Sequence, residues 1–148
     1  MHIEQNILDQ VNEWLTPTFD QNTQEEIKEL MTSDPKGLED AFYKNLEFGT
    51  GGMRGVMGVG TNRINKYTLG KNTQGLSNYL KKCFSNEDLK VAIAYDCRKN
   101  SDTLAKVVAD IFSANASNSR IIFRLKTFKL SFWNCIDSFT QSTRIQRL

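Results

Sequence analysis

The stretch Glu47-Phe-Gly-Thr-Gly-Gly-Met-Arg-Gly-Val-Met-Gly-Val-Gly-Thr-Asn-Arg63 holds six of the nine glycines in this 148-residue chain. Glycine has no Cβ, so it reaches positive φ and lets backbone N–H groups approach a ligand closely. A hydroxyl at Thr50 and permanent cations at Arg54 and Arg63 stand among these glycines, and such groups bind phosphate oxygens. Local composition leaves two interpretations open: a phosphate-binding cradle, or a glycine-rich hairpin whose arginines face water.

The composition, 39% hydrophobic and 24% charged, is typical of a globular domain. No apolar run approaches the ~18 residues of a membrane helix, and the first residues do not resemble a secretory signal. The three cysteines are widely spaced without a CxxC pair, so we interpret them as reduced thiols of a cytoplasmic protein. The single histidine, His2, lies at the terminus, and we predict no metal ligand and no catalytic residue.

Residues 1–46 are predicted to form an N-terminal helical segment. Apolar residues recur at helical spacing over 4–15, which predicts a first amphipathic helix. Thr23 begins a candidate capping box for a second helix, and Asp34 is expected to cap a third, which begins at Pro35 and runs to about Leu46. These acidic helices are most simply interpreted as a solvated layer on one side of the protein.

The rest of the chain alternates helix and strand. A helix is predicted over 65–84, with Lys81 and Lys82 in its last turn. A buried strand is predicted over 89–95, followed by a helix capped by Asn100 or Ser101 and a further strand over 120–126. This order implies a layered α/β/α fold with a mixed sheet, incomplete in this chain and extended by the N-terminal helices.

Charge changes abruptly near residue 115. Residues 1–114 carry a net charge of −3, whereas the last 34 residues hold six basic side chains and one acidic one, for +5. Gly and Pro are absent after Gly75. We therefore divide the chain into the helical segment 1–46, a partial α/β domain over 47–115 and an unmatched basic tail over 116–148.

Known nucleophile and phosphate-loop patterns are missing. No serine or cysteine sits on a recognisable nucleophile elbow, and the patterns GxxxxGK[ST] and GxGxxG are absent. Phosphate binding by Thr50, by the Gly51 and Gly52 amides, by Arg54 and by Arg98 is the chemistry that remains. Arg63 is interpreted as structural, together with Asn65, fixing the turn into the following helix.

Three motifs nevertheless resemble the first domain of the α-D-phosphohexomutases, and within them the phosphoglucomutase/phosphomannomutase branch. They are Phe48-Gly-Thr-Gly-Gly-Met-Arg-Gly55, Gly60-Thr-Asn-Arg-Ile-Asn-Lys-Tyr67 and Ala94-Tyr-Asp-Cys-Arg-Lys-Asn-Ser101, in the family's order and spacing. The resemblance covers about residues 1–115.

The resemblance implies an isomerase of carbohydrate metabolism with four mixed α/β domains around one cleft. Such an enzyme moves phosphate between C1 and C6 of glucose or mannose through a phosphoserine and a hexose 1,6-bisphosphate, with Mg²⁺. By motif match, Thr50 and Arg54 would border the phosphoserine, and Arg98 would come from a neighbouring strand end. The segment that separates glucose from mannose phosphates is not in this sequence.

The departures from the family pattern limit the expected activity. Ala116-Ser-Asn-Ser-Arg-Ile-Ile-Phe123 stands where the family leads into a Thr-Ala-Ser-His-Asn-Pro loop that bears the serine. We therefore expect the isolated chain to be inactive and to bind neither Mg²⁺ nor bisphosphate by itself. We hypothesise that residues 116–148 are an out-of-frame translation product or another gene-model artefact; the alternative is a disordered tail.

An alternative interpretation is a non-catalytic module that binds phosphate or nucleic acid through the basic tail. The tail lacks regular basic–aromatic interleaving, which argues against nucleic acid. An unpaired sheet edge would also favour aggregation or self-association.

Overall fold

A computed structural model describes residues 4–49, 52–84, 91–95, 98–115 and 121–124. Within them lie five α-helices and four short strands, in the order α1 Gln5–Trp14, α2 Gln21–Ser33, α3 Pro35–Phe42, β1 Phe48–Gly49, β2 Gly52–Met53, α4 Lys66–Cys83, β3 Val91–Ala94, α5 Ser101–Asn115 and β4 Ile121–Arg124. Every helix and strand predicted from the sequence has a counterpart. The predicted strand residues 89–90 and 125–126, and the tail beyond them, lie outside the described residues.

Helix α2 begins earlier than predicted. Its N-cap is Asp20, whose carboxylate accepts hydrogen bonds from the N–H and the hydroxyl of Thr23. The prediction that Thr23 is itself the cap was wrong, because the Asp20 carboxylate occupies the capping position and is held there by contacts from α4. The Asp34 cap and Pro35 start of α3 are confirmed, with Asp34 accepting from the Gly37 N–H at 3.0 Å.

Helix α3 ends at Phe42, four residues before the predicted end near Leu46. In a continuing helix the carbonyl of Asp40 would accept from a backbone N–H four residues later. Instead it accepts from the Asn62 side-chain amide at 2.9 Å, and the Ala41 carbonyl accepts from the Asn62 N–H at 2.9 Å. A distant loop therefore caps this helix end and stops it.

The principal hydrophobic core belongs to the N-terminal helices. Apolar residues from α1, α2 and α3 form one buried cluster, to which the glycine-rich stretch adds Val59. Trp14 stacks on Phe19 with ring centroids 4.6 Å apart and meets the edges of Phe42 and Tyr67. The interpretation of these helices as a solvated layer was therefore incomplete: their apolar faces supply most of this core.

A polar network joins the start of α2 to the start of α4. The Asp20 carboxylate pairs with the Lys66 ammonium at 2.9 Å, and it accepts from the hydroxyls of Tyr67 and Thr23. These bonds, led by the one from Lys66, hold the pKa of the Asp20 carboxyl well below its usual range. The hydrogen bond to Asp20 in turn raises the pKa of the Lys66 ammonium. The helical segment and α4 are thus fixed to each other by charge as well as by aromatic packing.

The second half forms a strand–helix–strand unit. Strands β3 and β4 pair in parallel, with Val91 opposite Ile121, and α5 connects them. Helix α5 packs on α4, where the absent side chain of Gly70 leaves room for Ile111. The predicted α4, with Lys81 and Lys82 in its last turn, is confirmed.

The described strands do not form the single mixed sheet that we predicted. Strands β1 and β2 pair antiparallel in one two-stranded sheet, and β3 and β4 form another. Among the described residues, each strand of the first pair has two residues. No helix among the described residues has the length and apolar character needed to cross a membrane.

Candidate functional site

The glycine-rich stretch does contain a hairpin-like pairing. Phe48 lies opposite Met53 and Gly49 opposite Gly52 in the β1–β2 ladder. Gly52 has φ near +99°, a conformation that L side chains rarely adopt, although no neighbouring atom would obstruct a Cβ there. Backbone conformation, and not crowding, therefore requires glycine at this position.

A cleft of about 510 Å³ opens beside this hairpin, so the two sequence interpretations describe the same region. It is bounded by the end of α3, the segment that follows α3, and both sides of the glycine-rich stretch. The residues that line it are Asp40, Lys44, Leu46, Glu47, Gly52, Arg54, Gly55, Val56, Asn62 and Arg63. Three cations and two carboxylates among these residues give the wall a slight positive excess.

The three cations have different surroundings. Arg63 is largely buried and pairs with the Asp40 carboxylate at 2.5 Å. The Lys44 ammonium lies 5.3 Å from the centre of the Tyr43 ring, and this tyrosine raises the pKa of Lys44. Arg54 is exposed and forms no ion pair with another described residue. Lys44 is likewise exposed and forms no ion pair with a described residue, so Arg54 and Lys44 are the cations of this wall that an anion from solvent can reach, and Arg54 is the guanidinium among them.

Asn65 fixes the turn between the cleft and α4. Its side-chain oxygen accepts from the N–H groups of Tyr67 and Thr68. The Thr68 hydroxyl in turn accepts from the Asn65 N–H, which completes a capping box. Its amide donates to the carbonyls of Gly58 and Gly60, both at 2.9 Å. These contacts confirm that Asn65 fixes the turn into α4. Arg63 takes part in the same turn, since its carbonyl accepts from the Thr68 hydroxyl at 2.7 Å, but it also lines the cleft.

The predicted phosphate-binding residues are only partly brought together. Gly52 and Arg54 line the cleft. Thr50 and Gly51 lie outside the described residues, so their predicted role stays a prediction. Arg98 is exposed at the turn before α5, where its carbonyl accepts from the Ser101 N–H, and it does not line this cleft. Its binding role also stays a prediction.

Sequence reasoning missed the wall that α3 contributes. Asp40 and Lys44 lie in the acidic segment that was interpreted as a solvated layer, and Asn62 was not singled out. No local pattern marks these residues, because they reach the cleft only when the loop 58–63 docks on the end of α3. Fold and site together define an α/β domain with a glycine-bounded, arginine-bearing cleft.

Comparison with known sequences agrees with this class. The sequence model of the family described as "Phosphoglucomutase/phosphomannomutase, alpha/beta/alpha domain I" matches residues 45–132, more than half of the chain. This chain therefore belongs to the phosphoglucomutase/phosphomannomutase family and carries its domain I, as the motifs predicted. The match extends past residue 115 and includes β4; the domain boundaries and the out-of-frame hypothesis stay predictions.

Several curated relatives share this region. A phosphopentomutase of Mus musculus is 43% identical over 92 residues, which are 58% of this chain and 14% of that protein. A glucose 1,6-bisphosphate synthase of Mus musculus is 33% identical over 112 residues, or 70% and 18% of the two chains. A phosphoglucomutase of Staphylococcus haemolyticus is 36% identical over 76 residues, or 51% and 14%. The chain thus spans less than a fifth of the length of these relatives. No solved structure matches it.

Proposed function

We propose that this chain belongs to a phosphomutase that interconverts hexose 1-phosphate and hexose 6-phosphate in carbohydrate metabolism, and that its cleft is one wall of the phosphosugar site. The observation that carries the proposal is the position of Arg54, an exposed guanidinium without an ion pair to a described residue, in a glycine-bounded cleft of this family's domain I. We further propose a cytoplasmic location, which rests on the cysteine pattern and the resemblance.

The proposed chemistry suits the groups present. A guanidinium binds phosphate oxygens through two parallel hydrogen bonds, and phosphoryl transfer depends mainly on positioning and on neutralising the moving negative charge. Arg54 would hold the phosphoryl group. No neighbouring heavy atom lies within 4 Å of the position that a Cβ of Gly52 would take, so the sugar phosphate could approach the backbone there. Thr50 and Gly51 complete the proposed set of phosphate ligands together with Arg98, which would act from outside the lining of this cleft.

The proposed reaction needs a phosphoserine that this chain lacks. In that reaction the phosphoserine gives its phosphoryl group to the sugar phosphate, and the resulting hexose 1,6-bisphosphate returns the other phosphoryl group to the serine. Because the sequence contains no Thr-Ala-Ser-His-Asn-Pro loop, we propose that the 148-residue chain turns over no substrate by itself.

The family also implies Mg²⁺. The described residues contain no group of three or more acidic, histidine or cysteine side chains that could hold a metal ion. We therefore assign the ion to no described residue, and no step of the proposed function uses it.

Pentose phosphates are a second candidate substrate class. This rests on one observation, the 43% identity to a protein named phosphopentomutase. A non-catalytic module that binds nucleic acid through the basic tail is the remaining alternative, and its tail lies largely outside the described residues.

The sequence alone led us to expect no bisphosphate binding by the isolated chain, whereas the cleft around Arg54 leads us to propose that the chain binds a sugar monophosphate by itself. Calorimetric titration of the chain with glucose 1-phosphate, mannose 1-phosphate and ribose 1-phosphate tests the proposal. Arg54→Gln should weaken binding of the preferred sugar phosphate about 10- to 100-fold, the loss of a hydrogen bond to a charged group. Lys106→Gln removes one positive charge from the exposed side of α5 and serves as the control, with an expected change below about 2-fold. Equal losses in both variants, or tighter binding of a DNA oligonucleotide than of any sugar phosphate, would overturn it.

A further inference from the structure

We infer that Asp40 is a positioning residue for the side of the cleft that is formed by Arg54, Gly55 and Val56, called here the Arg54 wall. Asp40 would act on this wall through Arg63. The inference rests on the proposed function for its phosphate readout, but it is argued from contacts alone. Asp40 lies before residue 45, where the family match begins, so the wall would depend on a helix outside the matched region.

The first link is the bond between Asp40 and Arg63. The Arg63 guanidinium donates to the Asp40 carboxylate at 2.5 Å and to the Asp40 carbonyl at 3.2 Å. The Arg63 side chain is 13% exposed, whereas that of Asp40 is 62% exposed. The cation is thus the more buried partner, and it depends on Asp40 for both its neutralisation and its direction.

The second link is the docking of the loop that carries Arg63. Asn62 bonds to the carbonyls of Asp40 and Ala41, and the Thr61 hydroxyl donates to the Lys44 carbonyl at 2.7 Å. The Thr61 carbonyl in turn accepts from the Leu46 N–H at 2.8 Å. Four successive contacts therefore hold residues 61–63 against the end of α3.

The third link joins this loop to the segment that follows Arg54. The Ile64 N–H donates to the Val56 carbonyl at 2.8 Å, and the Gly58 N–H donates to the Ile64 carbonyl at 3.3 Å. Gly55 packs so closely on Leu46 that an added Cβ would lie 2.8 Å from Cδ1 of that leucine. Arg54 is thus followed at once by residues fixed to the docked loop.

Charge alone makes the opposite prediction, which gives a sharp test. A carboxylate in the cleft repels a phosphate, so neutralising it should tighten binding if Asp40 is only a surface charge. If Asp40 positions the wall, Asp40→Asn should weaken binding although a repulsive charge has been removed. Glu47→Gln is the matched control, because Glu47 lines the same cleft and has no hydrogen bond to Arg63.

The experiment titrates the 148-residue chain and both variants with inorganic phosphate, and it records the ¹⁵N–¹H shifts of Arg54, Gly55 and Val56 without ligand. We expect Asp40→Asn to bind phosphate at least about 3-fold more weakly and to shift these amides, and Glu47→Gln to bind as well or better with unmoved amides. Asp40→Glu, which keeps the charge, should recover most of the affinity. Unmoved amides with equal or tighter binding in Asp40→Asn would overturn the inference.

Failure of the proposed function gives a different pattern. If the unmodified chain binds no phosphate but the amides move in Asp40→Asn alone, the positioning inference stands and the proposed function falls. Circular dichroism at low temperature checks that the variant is folded. An unfolded Asp40→Asn would also overturn the inference, because Asp40 would then support the whole fold and not the orientation of one wall.

Discussion

Gly60 offers a direct test of how the loop docks on α3. Its φ is +116°, and a Cβ at this position would lie 2.9 Å from both the carbonyl carbon and the Cβ of Ala41, and closer still to the Ala41 oxygen. Ala41 is buried in the core, so it has little freedom to move away. Gly60→Ala should therefore separate the glycine-rich loop from the helix end.

The cost follows from two terms. Holding a residue with a side chain in this backbone region costs about 1–3 kcal/mol, and forcing an extra group into a packed site costs about 1–3 kcal/mol. Together we expect a loss of about 2–6 kcal/mol in the free energy of unfolding, a large part of the 5–15 kcal/mol that is typical of small domains.

Gly75→Ala is the matched control. Gly75 lies in the interior of α4, is exposed, and has open space where a Cβ would stand. Alanine should stabilise the chain there by about 0.5–1 kcal/mol, because it has the higher helix propensity. The two substitutions add the same methyl group and should change stability in opposite directions.

Urea unfolding followed by the helical circular dichroism signal measures both changes. If Gly60→Ala loses less than about 1 kcal/mol, or if both variants move in the same direction, the docking of the loop on α3 is not as described. The argument from the positive φ and the Ala41 contact would then be refuted.

Three other perturbations test separate parts of the structure. Asn65→Ala removes the cap of α4 and the bonds to two glycine carbonyls, and should lower the free energy of unfolding by about 2 kcal/mol in urea; Asn65→Asp, which keeps the cap, should lose less. Phe42→Ala should lose about 3–5 kcal/mol in the same assay, because Phe42 is fully buried, and the exposed Tyr43→Ala should lose under about 1 kcal/mol. The pKa of Asp20 is lowered on folding, so its stabilising effect is complete above pH ~4–5 and declines as the pH falls. Between pH 6 and 3 the unmodified chain should therefore lose about 0.5–1 kcal/mol more than Asp20→Asn, since the partly exposed pair is screened; parallel pH profiles would contradict this.

Features that depend on neighbouring residues could be predicted from the sequence. Pro35 at the start of α3, Asn65 before α4 and the paired lysines in the last turn of α4 all act within one helical turn. The apolar spacing of α1 and α5 likewise needs no information from the rest of the chain.

Features that depend on distant partners could not be predicted. Asp20 is the cap of α2 partly because Tyr67, 47 positions away, donates to it. Helix α3 stops where it does because Asn62, 22 positions from Asp40, binds its last carbonyls. The cleft has the same origin, since Asp40 and Lys44 meet the glycine-rich stretch only after this docking. Motif spacing identified Gly52 and Arg54, but it had no means of identifying the helix end opposite them.

The central claim is that the Arg54 cleft binds a phosphoryl group, and mapping of ligand-induced shifts tests it most directly. A ¹⁵N-labelled chain is titrated with glucose 1-phosphate, with unphosphorylated glucose as the control. We predict saturable shifts of Gly52, Arg54 and Gly55 with the phosphate ester only, and unmoved amides on the exposed side of α5. Shifts that do not saturate, that occur equally with glucose, or that centre on the basic residues beyond 124 would contradict the claim.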